Sequence, residues 1–301
     1  MAQEHKYNSS TPLFSIVIPT YNHGHLIGRC LDSVVGQSCG DWEAIVVNNF
    51  SNDNTIEVVE GYHDSRIRLI NFANNGIIAA SRNKGISEAR GEWICFLDSD
   101  DWWTPDKLEA CLPYLDQNDV IYHTLWIYTE QQGLTTKTLR AYVPRKPIFV
   151  NLLLHDSCMP NSSACIRRTV IEQIGFLSEE RDLVAVEDFD YWLRLSLVTE
   201  RFAMIPKALG YYWIGSTSIS SSPKWVARHD AIYNKYLPVI KDARTRKRIK
   251  KRYNYSRGVI CQQIKEFQEA KKTLRHALSR QNSILRNLKI LCRLAALTMK
   301  H

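Results

Sequence analysis

Several familiar signatures are missing from this chain of 301 residues. No Gly-x-Gly-x-x-Gly follows the first apolar run and no Walker-type Gly-Lys-Ser/Thr occurs, so hydride transfer and P-loop phosphate chemistry both lose support. The eight cysteines (Cys30, Cys39, Cys95, Cys111, Cys158, Cys165, Cys261 and Cys292) form no Cys-x-x-Cys pair and no even ladder. Several lie inside apolar runs, which suits reduced, buried thiols in a cytosolic protein better than disulfides or a zinc site. No stretch approaches about 18 uninterrupted apolar residues, so no spanning helix is expected. The first twelve residues are polar and hold no apolar signal core. Neither a nucleic-acid recognition motif nor an interleaved aromatic platform accompanies the basic run Arg244 to Arg252, and no nucleic-acid partner is expected.

What remains is an ordinary soluble composition, 45% apolar and 23% charged. The net charge of +8 is unevenly placed. Residues 241–301 carry 18 Lys/Arg against 3 Asp/Glu, a balance of +15, which leaves −7 for residues 1–240. The shift marks a boundary. Three segments are expected: a polar tail over 1–12, a main domain over 13–240, and a basic helical extension over 241–301.

Short apolar runs alternate with helix-like segments through the first hundred residues. Strands are predicted at Phe14–Ile18, Glu43–Val47, Ile67–Phe72 and Trp93–Leu97. Helices are predicted over 24–36, up to about Glu60, and over Ile77–Ala89. Such alternation, with fully apolar strands, implies an α/β fold whose mostly parallel sheet is covered by helices on both faces. Ligands of such sheets bind beyond the carboxyl ends of the strands. The loops at Pro19–Asn22, Asn48–Asn54 and Asp98–Asp101 should therefore converge on one cleft. Val120–Tyr128 is β-rich, Gly133–Arg145 suits a hairpin or a mobile loop, Asn161–Arg168 resembles a short strand, and Glu187 starts a helix.

The most informative stretch is Ile94-Cys-Phe-Leu-Asp-Ser-Asp-Asp-Trp-Trp103, an apolar run ending in three carboxylates within four positions. In extended geometry Asp98 and Asp100 point the same way. Like charges that close repel, and a divalent cation relieves the conflict with clustered oxygen ligands. By itself the pattern also fits a solvated acidic loop.

Taken with its neighbours, the chain resembles a family 2 glycosyltransferase of the GT-A (Rossmann-like) fold over roughly Phe14 to Ser220. The resemblance rests on Ile18-Pro-Thr-Tyr-Asn22, Val46-Val-Asn-Asn-Phe-Ser-Asn-Asp-Asn-Thr55, Asn75-Gly-Ile-Ile-Ala-Ala-Ser-Arg-Asn-Lys-Gly85, Phe96-Leu-Asp-Ser-Asp-Asp-Trp102, Gly175-Phe176 and Glu187-Asp-Phe-Asp-Tyr-Trp-Leu-Arg194. It implies an inverting transferase that moves a sugar from a nucleotide donor, a UDP-sugar in the first instance, to a glycan or lipid-linked glycan in a cell-envelope polysaccharide pathway. Pro19, Thr20, Tyr21, Asn22, Asn49, Ser51, Arg82, Asn83, Asp98 and Ser99 are the implied nucleotide-sugar residues. Asp100, with Asp98, is the implied ligand of Mn2+ or Mg2+. Asp188 is the implied general base, with Glu187 beside it and Glu187 or Asp190 as alternatives for its role. Asp101 stays open as a loop carboxylate before a helix expected near Pro105, with Thr104 as its cap.

Two departures from the family pattern stand out. Asn49 occupies a position that usually holds an aspartate. In Tyr212-Trp-Ile-Gly-Ser-Thr-Ser218, Trp213 and Gly215 replace an arginine and a histidine that can complete the metal shell. A protein that kept the fold but only binds glycans or membranes is the second reading. From Ser283 to Met299, Ile284, Leu285, Leu288, Leu291, Cys292 and Ala295 gather on one helical face, with Arg286, Lys289, Arg293 and Lys300 opposite. Either this helix lies on an anionic membrane surface, making a cytoplasmic enzyme peripheral on the inner face, or it packs on the main domain with its basic face in solvent.

Overall fold

The computed structural model describes residues 11–215, 224–279 and 284–298. Most of the polar N-terminal tail, Thr217 and Ser218 of the departing motif, and Ser283, Met299 and Lys300 of the basic extension lie outside the described residues.

Four parallel strands open the fold: β1 (Phe14–Thr20), β2 (Trp42–Asn48), β3 (Ile67–Asn71) and β4 (Trp93–Phe96), in the spatial order β3-β2-β1-β4. β1, β2 and β4 are buried along their whole length, as their largely apolar sequences require. Helices α1 (Ile27–Val35), α2 (Thr55–Glu60) and α3 (Ile78–Glu88) make the crossovers. Beyond β4 the sheet turns mixed. β8 (Cys165–Arg167) pairs antiparallel with β4 and with β6 (Val120–Thr129). β9 (Phe202–Ile214) runs parallel to β6, and β5 (Trp102–Trp103) pairs antiparallel with β9. The segment from Gly133 is a hairpin, its strand β7 (Gly133–Leu139) returning along β6. Among the described residues nine strands form this one sheet.

Two charged side chains inside this core are answered by their neighbours. Glu43 on β2 is buried, yet its carboxylate accepts from Ser15 Oγ (2.7 Å), Arg90 N (2.6 Å) and Arg90 Nε (2.9 Å). Burial opposes the charge, but these donors win and hold the carboxyl below its ordinary range. Lys107, fully enclosed on the short helix α4 (Lys107–Cys111), sets its ammonium 3.9 Å from the Trp103 ring centroid and 3.4 Å from Cys95 Sγ. That helix starts two residues after Pro105 with Asp106 at its N-cap. Thr104 is no cap, because its hydroxyl is spent on Asp106 Oδ1 at 2.7 Å. All eight cysteines are free thiols, and six are buried.

The chain divides into two compact units. One comprises the described parts of 1–143, 157–179 and 194–216, which hold the whole sheet. The other comprises 144–156, 180–193 and the described parts of 217–301. Its helices are α5 (Ile148–His155), the first turns of α7 (Glu187–Val198), α8 (Lys224–Tyr236), α9 (Ala243–Gln263), α10 (Phe267–Ala277) and α11 (Ile284–Thr298). In the first unit α6 (Arg168–Ile174) follows β8. α9, α10 and α11 share a small core of Cys261, Ala270, Leu274, Ala277, Ile290 and Leu297, with Leu294 packed against it.

α11 therefore does not pack through the apolar face that the sequence gathers. Ile290, Leu294 and Leu297 form the inward seam, while Ile284, Leu285, Leu288 and Leu291 are 81%, 67%, 53% and 49% exposed. The narrow seam at i, i+4 and i+7 suffices, because Arg293 donates to Gln262 Oε1 (2.7 Å) and Asn287 to the Ser279 carbonyl (2.8 Å) on the inward side. No helix among the described residues is long and apolar enough to cross a membrane.

Candidate active site

The ends of β1, β2 and β4 place three loops side by side. Pro19 and Thr20 close β1 and are buried; beyond them Tyr21 is half exposed, and Asn22 takes a left-handed φ of 53°. Asn22 ties this loop to the one after β2: its N–H donates to Ser51 Oγ (2.9 Å), and its Oδ1 accepts from Asn52 N (2.9 Å). Ser51 in turn donates to Asn48 Oδ1 at 2.6 Å. Asn22 and Ser51 thus shape the loops. The Thr20 hydroxyl is buried at the end of the strand and has no partner among the described residues.

Asn49 sits at the same edge, its N–H on the Thr20 carbonyl (3.0 Å). Its Oδ1 accepts from Asn74 N at 2.9 Å. One of the two lone pairs on the amide oxygen is committed to the backbone, and the NH2 is a donor that Asn49 can offer a ligand. An aspartate there would keep a second acceptor oxygen instead.

β4 delivers the acidic run. Asp98 is held from three directions. Arg82 Nη2 of α3 is 2.7 Å from its Oδ1, Asn161 Nδ2 is 3.2 Å from both carboxylate oxygens, and the Asp98 N–H donates to Ser162 Oγ at 3.1 Å. Arg82 is 4% exposed, a nearly buried guanidinium whose charge Asp98 answers. Asn161 and Ser162 come from a 3-10 turn (Asn161–Ser163) just before β8. Sequence reasoning took this segment only for a strand, since nothing local marks a partner 63 residues away.

Asp100 differs from Asp98: among the described residues its carboxylate makes no ion pair and no hydrogen bond to another side chain. Burial, and next the charge of Asp98, push it up to about 7. Asp101 is pushed well up by burial, with the charges of Asp100 and Asp98 adding to it. Asp101 Oδ1 accepts from Trp213 N at 2.9 Å, which makes it a brace to β9, with the Ser162 hydroxyl also close enough to favour its charged form. Arg29 approaches from α1, donating to the Asp100 carbonyl (3.3 Å) over the Trp102 ring.

Ser99 is buried, and its hydroxyl meets His23 Nδ1 at 2.7 Å. His23 N donates to Thr55 Oγ1 (3.0 Å), and the imidazole is held neutral-leaning by burial and by His25. His23 thus joins all three loops, a role with no periodic or motif signal in its neighbourhood. Asn83 joins Arg82 on α3 but faces elsewhere. Its amide nitrogen donates to the Leu177 carbonyl (2.9 Å) and Glu179 Oε1 (2.8 Å), and its oxygen accepts from Leu177 N (2.9 Å). Both ends of that amide are spent on the 177–179 segment.

The carboxylates fit a hard divalent cation. Asp100, uncommitted among the described residues and raised by burial and by the neighbouring Asp98, is a group whose charge an ion would stabilise. Among the described residues no three carboxylates, imidazoles or thiols could hold an ion by themselves. Mg2+-type sites complete one or two protein carboxylates with substrate phosphates and water. Residue 215 cannot add a ligand: Gly215 has no side chain, and a Cβ built there would overlap the Trp213 indole.

In the second unit, α7 opens with Glu187, Asp188 and Asp190 in its first turn, where the helix dipole favours carboxylates. Glu187 is buried and Asp188 half-buried, with Asp188 Oδ1 2.7 Å from Phe189 N. Asp190 is fully buried between Lys235 Nζ (2.8 Å) and the Tyr236 hydroxyl (2.7 Å). That pairing gives Asp190 a structural task.

A family model described as Glycosyl transferase family 2 matches residues 15–175. A putative teichuronic acid biosynthesis glycosyltransferase, TuaG of Bacillus subtilis (strain 168), is 30% identical over 72% of this chain and 84% of its own length. The UDP-Glc:alpha-D-GlcNAc-diphosphoundecaprenol beta-1,3-glucosyltransferase WfgD of Escherichia coli is 30% identical over 61% of this chain and 69% of its own. Among solved structures, S. aureus TarS 1-349 in complex with UDP-GlcNAc superposes with a TM-score of 0.65 at 19% identity, covering 88% of this chain and 81% of that one. That likeness is one of fold.

Proposed function

The chain belongs to glycosyl transferase family 2, and on that premise we propose that it transfers a sugar with inversion from a nucleoside-diphosphate sugar, first of all a UDP-sugar, to a glycan or lipid-linked glycan. The observation that carries the reading is the end of β4, where Asp98 is fixed by Arg82 and Asn161 while Asp100 beside it stays uncommitted. The UDP-GlcNAc complex of the TarS structure and the diphosphoundecaprenol acceptor in the name of WfgD support the donor and acceptor classes.

Asp100, with Asp98, would hold Mn2+ or Mg2+. The bound ion would neutralise charge on the departing diphosphate. The chain's own residues do the rest. The loops after β1 and β2, locked together by Asn22 and Ser51, border the nucleotide, with Thr20 and Tyr21 at the rim and the Asn49 NH2 directed to a carbonyl of the base. His23 sets the rotamer of Ser99, and Arg82 sets that of Asp98, so the acidic loop is rigid before donor arrives. Asn83 acts indirectly, by anchoring residues 177–179 to α3.

Asp188 takes the proton from the acceptor hydroxyl, whose oxygen bonds to the anomeric carbon as the bond to the diphosphate oxygen breaks. One displacement inverts that carbon and needs no nucleophile from the protein. Glu187 lies beside Asp188 in the first turn of α7. A cytoplasmic location, peripheral on the membrane, suits such a donor and a lipid-linked acceptor.

The test is nucleoside diphosphate release from a panel of UDP-sugars with Mn2+ and an acceptor extract. Release is expected from the native enzyme and not from Asp100→Ala or Asp188→Ala. Undiminished release from both variants would remove the assignment.

A further inference from the structure

We infer that the outward face of α11 docks the second unit onto an anionic lipid bilayer. Ile284, Leu285, Leu288 and Leu291 are all exposed, together with Cys292 and Ala295, on one side of a helix of about 22 Å. Four adjacent aliphatic side chains held out to water are costly unless something covers them. No segment of the described chain does so, and the seam of Ile290, Leu294 and Leu297 already fixes the helix from behind.

Charge selects the occupant. Residues 241–301 carry a balance of +15. Lys289 flanks the apolar face, and Lys247, Arg248, Lys250 and Arg275 are exposed, all five without a carboxylate partner among the described residues. Two copies of so basic a unit repel each other, which disfavours self-association through this face. An anionic bilayer answers both features at once, taking the aliphatic side chains among its acyl chains and the cations among its headgroups. The helix is too short and too charged to span, so it would lie in the interface. The inference deepens the lipid-linked acceptor reading and rests on it only for its biological purpose.

The experiment is co-sedimentation of the full chain with vesicles of phosphatidylglycerol and phosphatidylcholine, and with phosphatidylcholine alone. Binding is expected to the anionic vesicles and to fall as salt rises. Leu288→Glu with Leu291→Glu should weaken it by about tenfold or more. Both side chains are exposed, so the melting temperature and donor hydrolysis should not change. Leu285→Ser gives a second variant whose binding should also drop. Native protein that ignores anionic vesicles, or variants that bind as it does, would overturn the inference. So would sedimentation velocity showing a native dimer that the double variant turns into monomer. Vesicle binding requires no turnover: an inactive protein that still binds through Leu288 and Leu291 would remove the transferase reading and leave the docking face standing.

Discussion

Gly85 decides how closely α3 approaches the sheet. A methyl group there would overlap Cγ1 of Val17 and stand 3.2 and 3.3 Å from its Cγ2 and Cβ. Val17 is fully buried on β1, between β2 and β4, and its branched side chain is stiff at χ1, so it cannot swing aside. Gly85→Ala sets two effects against each other. Helix propensity favours alanine by about 1 kcal/mol, whereas overpacking costs about 1–3 kcal/mol. Three contacts with one immobile side chain place this site toward the upper end, for a net loss of about 1–2 kcal/mol. Val17→Ala alone leaves a cavity and should cost about 2 kcal/mol. In the double variant the new methyl fills that space, so the two losses should fail to add by about 1 kcal/mol or more. Urea denaturation of the four proteins measures this. Arg82 lies one turn earlier on the same helix, so the donor KM should rise in Gly85→Ala and recover in the double variant. A higher urea midpoint for Gly85→Ala, or strict additivity, would refute the close-approach reasoning.

Removing the guanidinium in Arg82→Met leaves Asp98 held only by Asn161 and Ser162; because Asp98 is 25% open to solvent, the expected loss is about 2 kcal/mol, below that of a fully buried pair, with a lower kcat/KM for donor. His23→Ala deletes one hydrogen bond to Ser99 and should raise the donor KM about fivefold, read by steady-state kinetics at saturating acceptor. Asn49→Asp replaces the free NH2 donor by an acceptor, so the preference among nucleoside diphosphates should change in a competition assay while thermal stability holds; an unchanged order would place the base elsewhere. Burial pushes His123 down to about 3 and His229 down to about 4, against an ordinary 6.5. The unfolded chain gains those protons as pH drops below 6.5 while the folded chain resists, so the stability present above pH 6.5 is lost progressively toward the folded values. Between about pH 7 and about pH 5 His123 alone should cost about 2 kcal/mol, and a flat urea midpoint over that range would contradict its burial as a neutral imidazole.

The first half of the fold could be read from sequence because its strands are uniform apolar runs and its helices keep a helical spacing. Strand β4 and the acids after it needed only local pattern. The parts that stayed hidden depend on distant partners. Nothing near Asn161 or Ser162 announces that they grip Asp98, and nothing near Asn83 announces that its amide is consumed by Leu177 and Glu179. Thr104 looks like a helix cap, but Asp106 takes its hydroxyl. On α11 the sequence contains two apolar stripes, and periodicity picked the larger; packing chose the narrower one, because the basic and amide side chains beside it find partners on α9 and before α11. Nothing near Asp190 announces that Lys235 and Tyr236, more than 40 residues on, enclose its carboxylate.

Calorimetric titration of UDP-sugar into the native protein and Asp100→Asn, with and without Mn2+, bears most directly on the acids at the end of β4. Binding to the native protein should strengthen sharply with the ion, and Asp100→Asn should lose that gain while keeping its melting temperature. Equal affinity with and without Mn2+, or full ion-dependent binding by Asp100→Asn, would contradict the role given to this carboxylate.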